Sequence, residues 1–172
     1  MKITLITGGQ KSGKTTYAQN RALALSEHPA MIVTAQAQID DAEFADRILR
    51  HQNDRGENWV VYEGPNEWSS FDIQQECCVV DCLTLWLSQR YEQCDFDLDR
   101  SLAQSKLYFS DFLKNYQKPL FVVGHELGLG LHGESASVRR FVDLHGLFMQ
   151  FVATMADEVY MMVSGIPLKV KS

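Results

Sequence analysis

Eight consecutive residues carry the plainest chemistry in this chain. Gly8-Gly9-Gln10-Lys11-Ser12-Gly13-Lys14-Thr15 fits the pattern G-x-x-x-x-G-K-[ST] in full. Its glycines let backbone N–H groups turn inward around a β-phosphate, and Lys14 reaches β and γ oxygens. The Thr15 hydroxyl is placed to ligate Mg2+, and a helix N-terminus adds partial positive charge. Such a loop needs a carboxylate to hold the metal's water shell. Asp81 closes the apolar run Cys78-Val79-Val80, where a Walker-B aspartate belongs. The same position also suits the cap of a helix beginning at Leu83, and the two roles are compatible.

A second constellation is helical. Arg47, His51 and Arg55 are spaced i, i+4, i+8 and share one face. Flanking cations favour a neutral imidazole. A neutral imidazole among arginines suits attack on phosphorus, with fixed charge for the anionic oxygens. Taken alone, the spacing fits a solvated face bearing a surface histidine better. His125-Glu126 follows the apolar run Leu120 to Val123, a place where α/β proteins bind ligands, although a loop cap fits as well. His125, Glu126 and His132 include metal-ligating types, but nothing in the sequence fixes their geometry. His28 and His145 read as structural or exposed, and Trp59, Trp68 and Trp86 as packing residues.

These groups must be positioned by alternating strands and helices. Ile3–Thr7, Met31–Thr34, Trp59–Tyr62, Cys78–Asp81 and Leu120–Val123 read as strands. Helices are expected at Lys14–Glu27, with Ala18, Ala22 and Leu25 on one side, and at Asp41–Asn53, Leu83–Arg90, Asp99–Tyr116 and Val138–Ala156. Val159–Val163 and Leu168–Val170 flank Gly165-Ile166-Pro167 and are expected to form a hairpin. Nearly all-apolar strands imply a largely parallel sheet covered on both faces, with that hairpin making one edge antiparallel. The fold class is α/β, and residues 1–172 read as a single nucleotide-binding domain.

The net charge of -6 argues against a general nucleic-acid or anionic-membrane surface. No apolar run is long enough for a membrane helix. Cys77, Cys78, Cys82 and Cys94 lack the paired spacing of a zinc site and read as buried free thiols. A cytoplasmic location is expected.

The chain resembles the bifunctional adenosylcobinamide kinase / adenosylcobinamide-phosphate guanylyltransferase family of cobalamin biosynthesis, essentially end to end. The resemblance rests on Thr7–Thr15, Val33–Ala37, Asp41-Ala42-Glu43-Phe44, Arg47-Ile48-x-x-His51-x-x-x-Arg55, Trp59, Glu63 and Val80–Leu87. It continues through Glu126-Leu127-Gly128-x-Gly130, Arg139-x-Phe141-x-Asp143-x-x-Gly146, Ala156–Val159 and Val163–Leu168.

The resemblance implies a P-loop domain of the RecA-like type, assembled as a homotrimer. It implies phosphorylation of adenosylcobinamide by ATP or GTP, then transfer of GMP from GTP through a histidine that falls on His51. Nucleotide contacts would fall on Gly8 to Thr15, on Val33, Thr34 and Ala35, on Gln52, Asn53, Asp54 and Arg55, and on Glu63 and Asp81. Thr15 and Asp81 would serve Mg2+. The chain departs from the family pattern at Arg50, His125, His132-Gly133, Val142 and Met149, and carries two extra residues between Ala37 and Asp41. Most of these departures cluster in the C-terminal half and bear on the corrinoid-facing surface more than on the nucleotide site. Two other readings are a kinase without guanylyl transfer or with altered corrinoid specificity, and a non-catalytic nucleotide-binding regulator.

Overall fold

Four short apolar runs are buried completely because each side of each strand has a layer to pack on. The computed structural model describes residues 1–34, 58–64, 68–130 and 133–172. Its strands are β1 (Ile3–Gly8), β2 (Ala30–Val33), β3 (Val60–Glu63), β4 (Cys78–Asp81), β5 (Leu120–Val123), β6 (Glu158–Val163) and β7 (Ile166–Lys171). They form one sheet in the order β3-β2-β4-β5-β1-β6-β7, parallel throughout except for the β6–β7 hairpin. The described helices are α1 (Lys14–Leu23), α2 (Leu83–Gln93), α3 (Leu98–Asn115) and α4 (Ala136–Met155).

The period-2 alternation of a strand sorts its side chains between two cores. Ile3, Leu5, Ile32, Val80 and Val122 face α2, α3 and α4, where Trp86, Phe109, Phe112, Leu144 and Phe148 fill the layer. Ile6, Met31, Val79, Phe121 and Val123 face the opposite side, with Ala18 and Ala22 of α1 and Trp59. The alanines let α1 lie close to the sheet. All three tryptophans are buried packing residues, and the four cysteines are buried free thiols.

Several element ends differ from the sequence expectation. α1 stops at Leu23, where the backbone turns through Leu25 N–H and Ser26 N–H to the Ala22 carbonyl. Pro29 then favours extended chain into β2. Leu25 is therefore 55% exposed rather than part of the apolar stripe. α3 begins a residue early because the Asp97 side chain accepts the Arg100 N–H at 2.8 Å. α4 begins at Ala136 because the Ser135 hydroxyl accepts the Val138 N–H. β7 starts directly after a two-residue turn, two residues earlier than expected. The helix expected at Asp41–Asn53 lies outside the described residues.

One carboxylate ties four pieces of this frame. Glu158 of β6 meets Lys169 of β7 at 2.9 Å, Lys2 before β1 at 3.3 Å and Arg21 of α1 at 3.4 Å. The hydrogen bond from Lys169, with those from Lys2 and Arg21, holds the Glu158 carboxyl down at about 2. Its contribution to stability is present above the ordinary carboxylate range and is lost as pH falls through about 2. Glu158→Gln is expected to cost about 1 kcal/mol at neutral pH, the upper range for a partly exposed ion-pair network. Urea denaturation should show the gap between the variant and the parent closing as pH is lowered towards that value.

Candidate functional site

Parallel register gathers the chemistry at one end of the sheet. Val33 of β2 pairs with both Glu63 of β3 and Asp81 of β4; Asp81 pairs with Val123 of β5, and Val123 with Ile6 of β1. These residues form one row at the strands' C-terminal ends, where open α/β sheets bind ligands. β1 then turns through Gly9 to Gly13 into α1. Gly13 is the helix N-cap at φ +93°, a backbone conformation that favours glycine.

Within this turn Lys14 is only 5% exposed. Its ammonium donates to the Gly9 carbonyl and, at 3.4 Å, to the Ser12 hydroxyl. Burial pulls the Lys14 pKa below the usual lysine value, opposed by the nearby Asp81 carboxylate. The Thr15 hydroxyl donates to the Asp81 carboxylate at 3.1 Å. Cys82, not Asp81, occupies the N-cap position of α2. Hydroxyl and carboxylate oxygens side by side, with no sulfur or imidazole in that pair, match the donor chemistry of a hard divalent cation such as Mg2+.

The other expected contacts are placed more variously. Val33 is buried within that row, and Glu63 is exposed on edge strand β3. The Thr34 hydroxyl is fully buried and clamps Cys82, donating to its carbonyl at 2.8 Å and accepting its N–H at 2.9 Å. Thr34 therefore shapes the β4–α2 turn. Ala35, Arg47, His51, Gln52, Asn53, Asp54 and Arg55 lie outside the described residues, as does His132. Glu126 accepts the Gly128 N–H at 3.0 Å, tightening its own loop. Among the described residues no group of three or more His, Cys, Asp or Glu side chains is arranged to hold a metal ion.

Two participants are not legible in the motifs. The Thr84 hydroxyl accepts the His125 N–H at 2.9 Å and lies 3.0 Å from Nε2 of buried His145. A hydroxyl that accepts from the backbone has its own proton to give, so the pair is satisfied by a neutral His145 with an unprotonated Nε2. The His125 ring, with Nδ1 at 3.8 Å from the Cys82 sulfur, closes this cluster behind Asp81. Burial lifts the Cys82 thiol to about 12, so it stays protonated. The only signal for Thr84 is its place in Asp81-Cys82-Leu83-Thr84, and His145 gives none beyond its position on an apolar helix.

Comparison with known proteins covers nearly the whole chain. Residues 4–170 match the family described as cobinamide kinase / cobinamide phosphate guanyltransferase. A bifunctional adenosylcobalamin biosynthesis protein of Pseudomonas aeruginosa is 33% identical, covering 97% of this chain and 96% of that protein. Proteins of the same description from Salmonella typhimurium and Escherichia coli are 27% and 28% identical, each covering 97% of this chain and 98% of the relative.

The Thr84–His145 pair has a pH signature. Burial, with the nearby His125 charge, depresses His145 from 6.5 to about 4. Between those values the unfolded chain takes up a proton that the folded chain refuses, so acidification through this window removes stability. The loss is at most about 3 kcal/mol. Urea midpoints at about pH 7 and about pH 4.5 should diverge more in the parent than in His145→Gln, which cannot titrate.

Proposed function

The chain belongs to the cobinamide kinase / cobinamide phosphate guanyltransferase family, transferases of cobalamin biosynthesis, and from that premise we propose that it carries out two transfers in succession. It phosphorylates adenosylcobinamide from a nucleoside triphosphate and then attaches GMP from GTP, giving adenosylcobinamide-GDP. The observation that carries the nucleotide half is the Thr15–Asp81 contact of 3.1 Å beside buried Lys14.

In the first transfer the hydroxyl oxygen of the aminopropanol arm bonds the γ-phosphorus. The bond from that phosphorus to the bridging oxygen breaks, the nucleoside diphosphate leaves, and the hydroxyl proton passes to solvent. Backbone N–H groups of residues Gly9 to Thr15 hold the phosphates, and Lys14 places its charge on the β and γ oxygens. Thr15 and Asp81 would hold Mg2+, Asp81 partly through water, and the ion when bound neutralises phosphate charge. Val33, Thr34, Ala35, the stretch Gln52 to Arg55, and Glu63 complete the nucleotide contacts in this reading.

In the second transfer a nitrogen of His51 attacks the α-phosphorus of GTP and pyrophosphate leaves. An oxygen of adenosylcobinamide phosphate then attacks the same phosphorus, the P–N bond breaks, and His51 is regenerated. Arg47 and Arg55, one helical turn to either side in sequence, supply charge for the phosphate oxygens. Assembly as a homotrimer and a cytoplasmic location belong to the same reading. Among the described residues no helix is long and apolar enough to cross a membrane.

Two measurements test the two halves separately. Lys14→Ala and Asp81→Asn should each lower kinase turnover of adenosylcobinamide by roughly 100-fold or more, measured as nucleoside diphosphate released. Incubation with α-labelled GTP should leave protein-bound GMP that is labile to acid and stable to alkali. That label should vanish in His51→Ala while kinase turnover persists. Absence of any adduct in the parent chain would exclude the histidine route and leave a kinase alone.

A further inference from the structure

The phosphate loop does not stand by itself. Two backbone donors from outside it hold its carbonyls. Glu126 N–H, just beyond β5, donates to the Gly8 carbonyl at 2.9 Å, and Gly165 N–H donates to the Ser12 carbonyl at 3.0 Å. Gly165 belongs to the turn of the β6–β7 hairpin, between the paired residues Val163 and Ile166. Ser164 and Gly165 have φ of +51° and +84°, the conformation of a two-residue turn that matches strand twist. The approach is close: a Cβ added to Gly13 would stand 3.2 Å from the Gly165 Cα.

A trans peptide plane points its C=O and its N–H in opposite directions. The plane joining Ser12 to Gly13 has its carbonyl pulled towards the hairpin. Its N–H, that of Gly13, is thereby directed to the side away from the hairpin. By the same geometry the Glu126–Gly8 bond turns the Gly9 N–H away from β5. Neither anchor is a side chain, so neither aims the loop through a rotatable group.

We propose that the Ser164-Gly165 turn is a positioning element of the nucleotide site, and that Gly165 acts through Ser12 to aim the Gly13 N–H at the phosphates. This rests on the reading that a triphosphate binds the loop. Gly165 touches no substrate in this scheme. Its effect reaches phosphate recognition whatever base or acceptor is present, so the polyphosphate moiety alone is the proper probe.

The experiment measures binding of Mg2+-tripolyphosphate, and separately of GTP, by calorimetry on the full chain. Gly165→Pro removes the N–H donor. Gly165→Val retains the donor but drives the residue from positive φ while leaving both strand sequences intact. Gly165→Asn retains the donor and tolerates positive φ; a Cβ at this position meets nothing within 4 Å. The Pro and Val variants should bind both probes about tenfold more weakly or worse, as expected for a misdirected donor to a charged group. Gly165→Asn should restore most of the affinity. Thermal melting identifies any variant that has not folded, and the remaining one of the Pro and Val pair then carries the comparison. Parent-like affinity in a folded Pro or Val variant would overturn the positioning role. Failure of the parent chain to bind either probe would instead overturn the nucleotide reading itself.

Discussion

A threonine hydroxyl at the start of α1 and a carboxylate at the end of β4 meet at 3.1 Å although a whole strand, β5, lies between β1 and β4. That contact constrains the entire sheet. It requires β1, β5 and β4 to be parallel and in step, which the pairing of Ile6 with Val123 and of Val123 with Asp81 provides. A slip of one residue in β4 would turn Asp81 to the other face and put Val80 in its place. The register is held because Val79 and Val80 have opposite cores to fill. The packing that stabilises the fold therefore also places the carboxylate.

The burial of Lys14 belongs to the same constraint. A cation at 5% exposure is costly unless compensated. Its hydrogen bonds go to neutral oxygens of Gly9 and Ser12, and Asp81 assists only through space. The lowered pKa expresses that incomplete compensation. A polyphosphate brought to the loop supplies the negative charge that these neutral oxygens lack. The fold thus carries an electrostatic deficit at the place where the sequence motif expects phosphate.

How much of this is legible in the sequence depends on range. The loop motif, the buried strands and the hairpin are visible because each is written in a few consecutive residues. Asp81 is placed by the same kind of local signal, its position directly after Cys78-Val79-Val80. The helix starts after Asp97 and Ser135 differ from the apolar pattern by one or two residues, because a cap is fixed by a single hydrogen bond that such a pattern does not encode. Leu25 departs from expectation because the stripe of α1 continues in sequence after its backbone has turned. Thr34 stands among the expected nucleotide contacts, yet its hydroxyl serves Cys82, a partner 48 residues away. The Thr84–His145 pair spans 61 residues and is likewise beyond local pattern. The helix expected around His51 falls outside the described residues, so its case rests on the spacing of Arg47, His51 and Arg55 together with the family resemblance.

These long-range bonds share a physical logic. Thr34 fixes the Cys82 backbone, Thr84 fixes the His125 N–H, Glu126 fixes the Gly8 carbonyl and Gly165 fixes the Ser12 carbonyl. Each one ends on a backbone group rather than on a charged side chain. A site that must grip a polyanion gains from donors whose direction is set before the ligand arrives, since no rotamer entropy is then lost on binding. A long side chain such as Lys14 can follow a moving phosphate, but a peptide plane cannot. Dividing the work in this way gives the loop a rigid cradle and one adjustable cation.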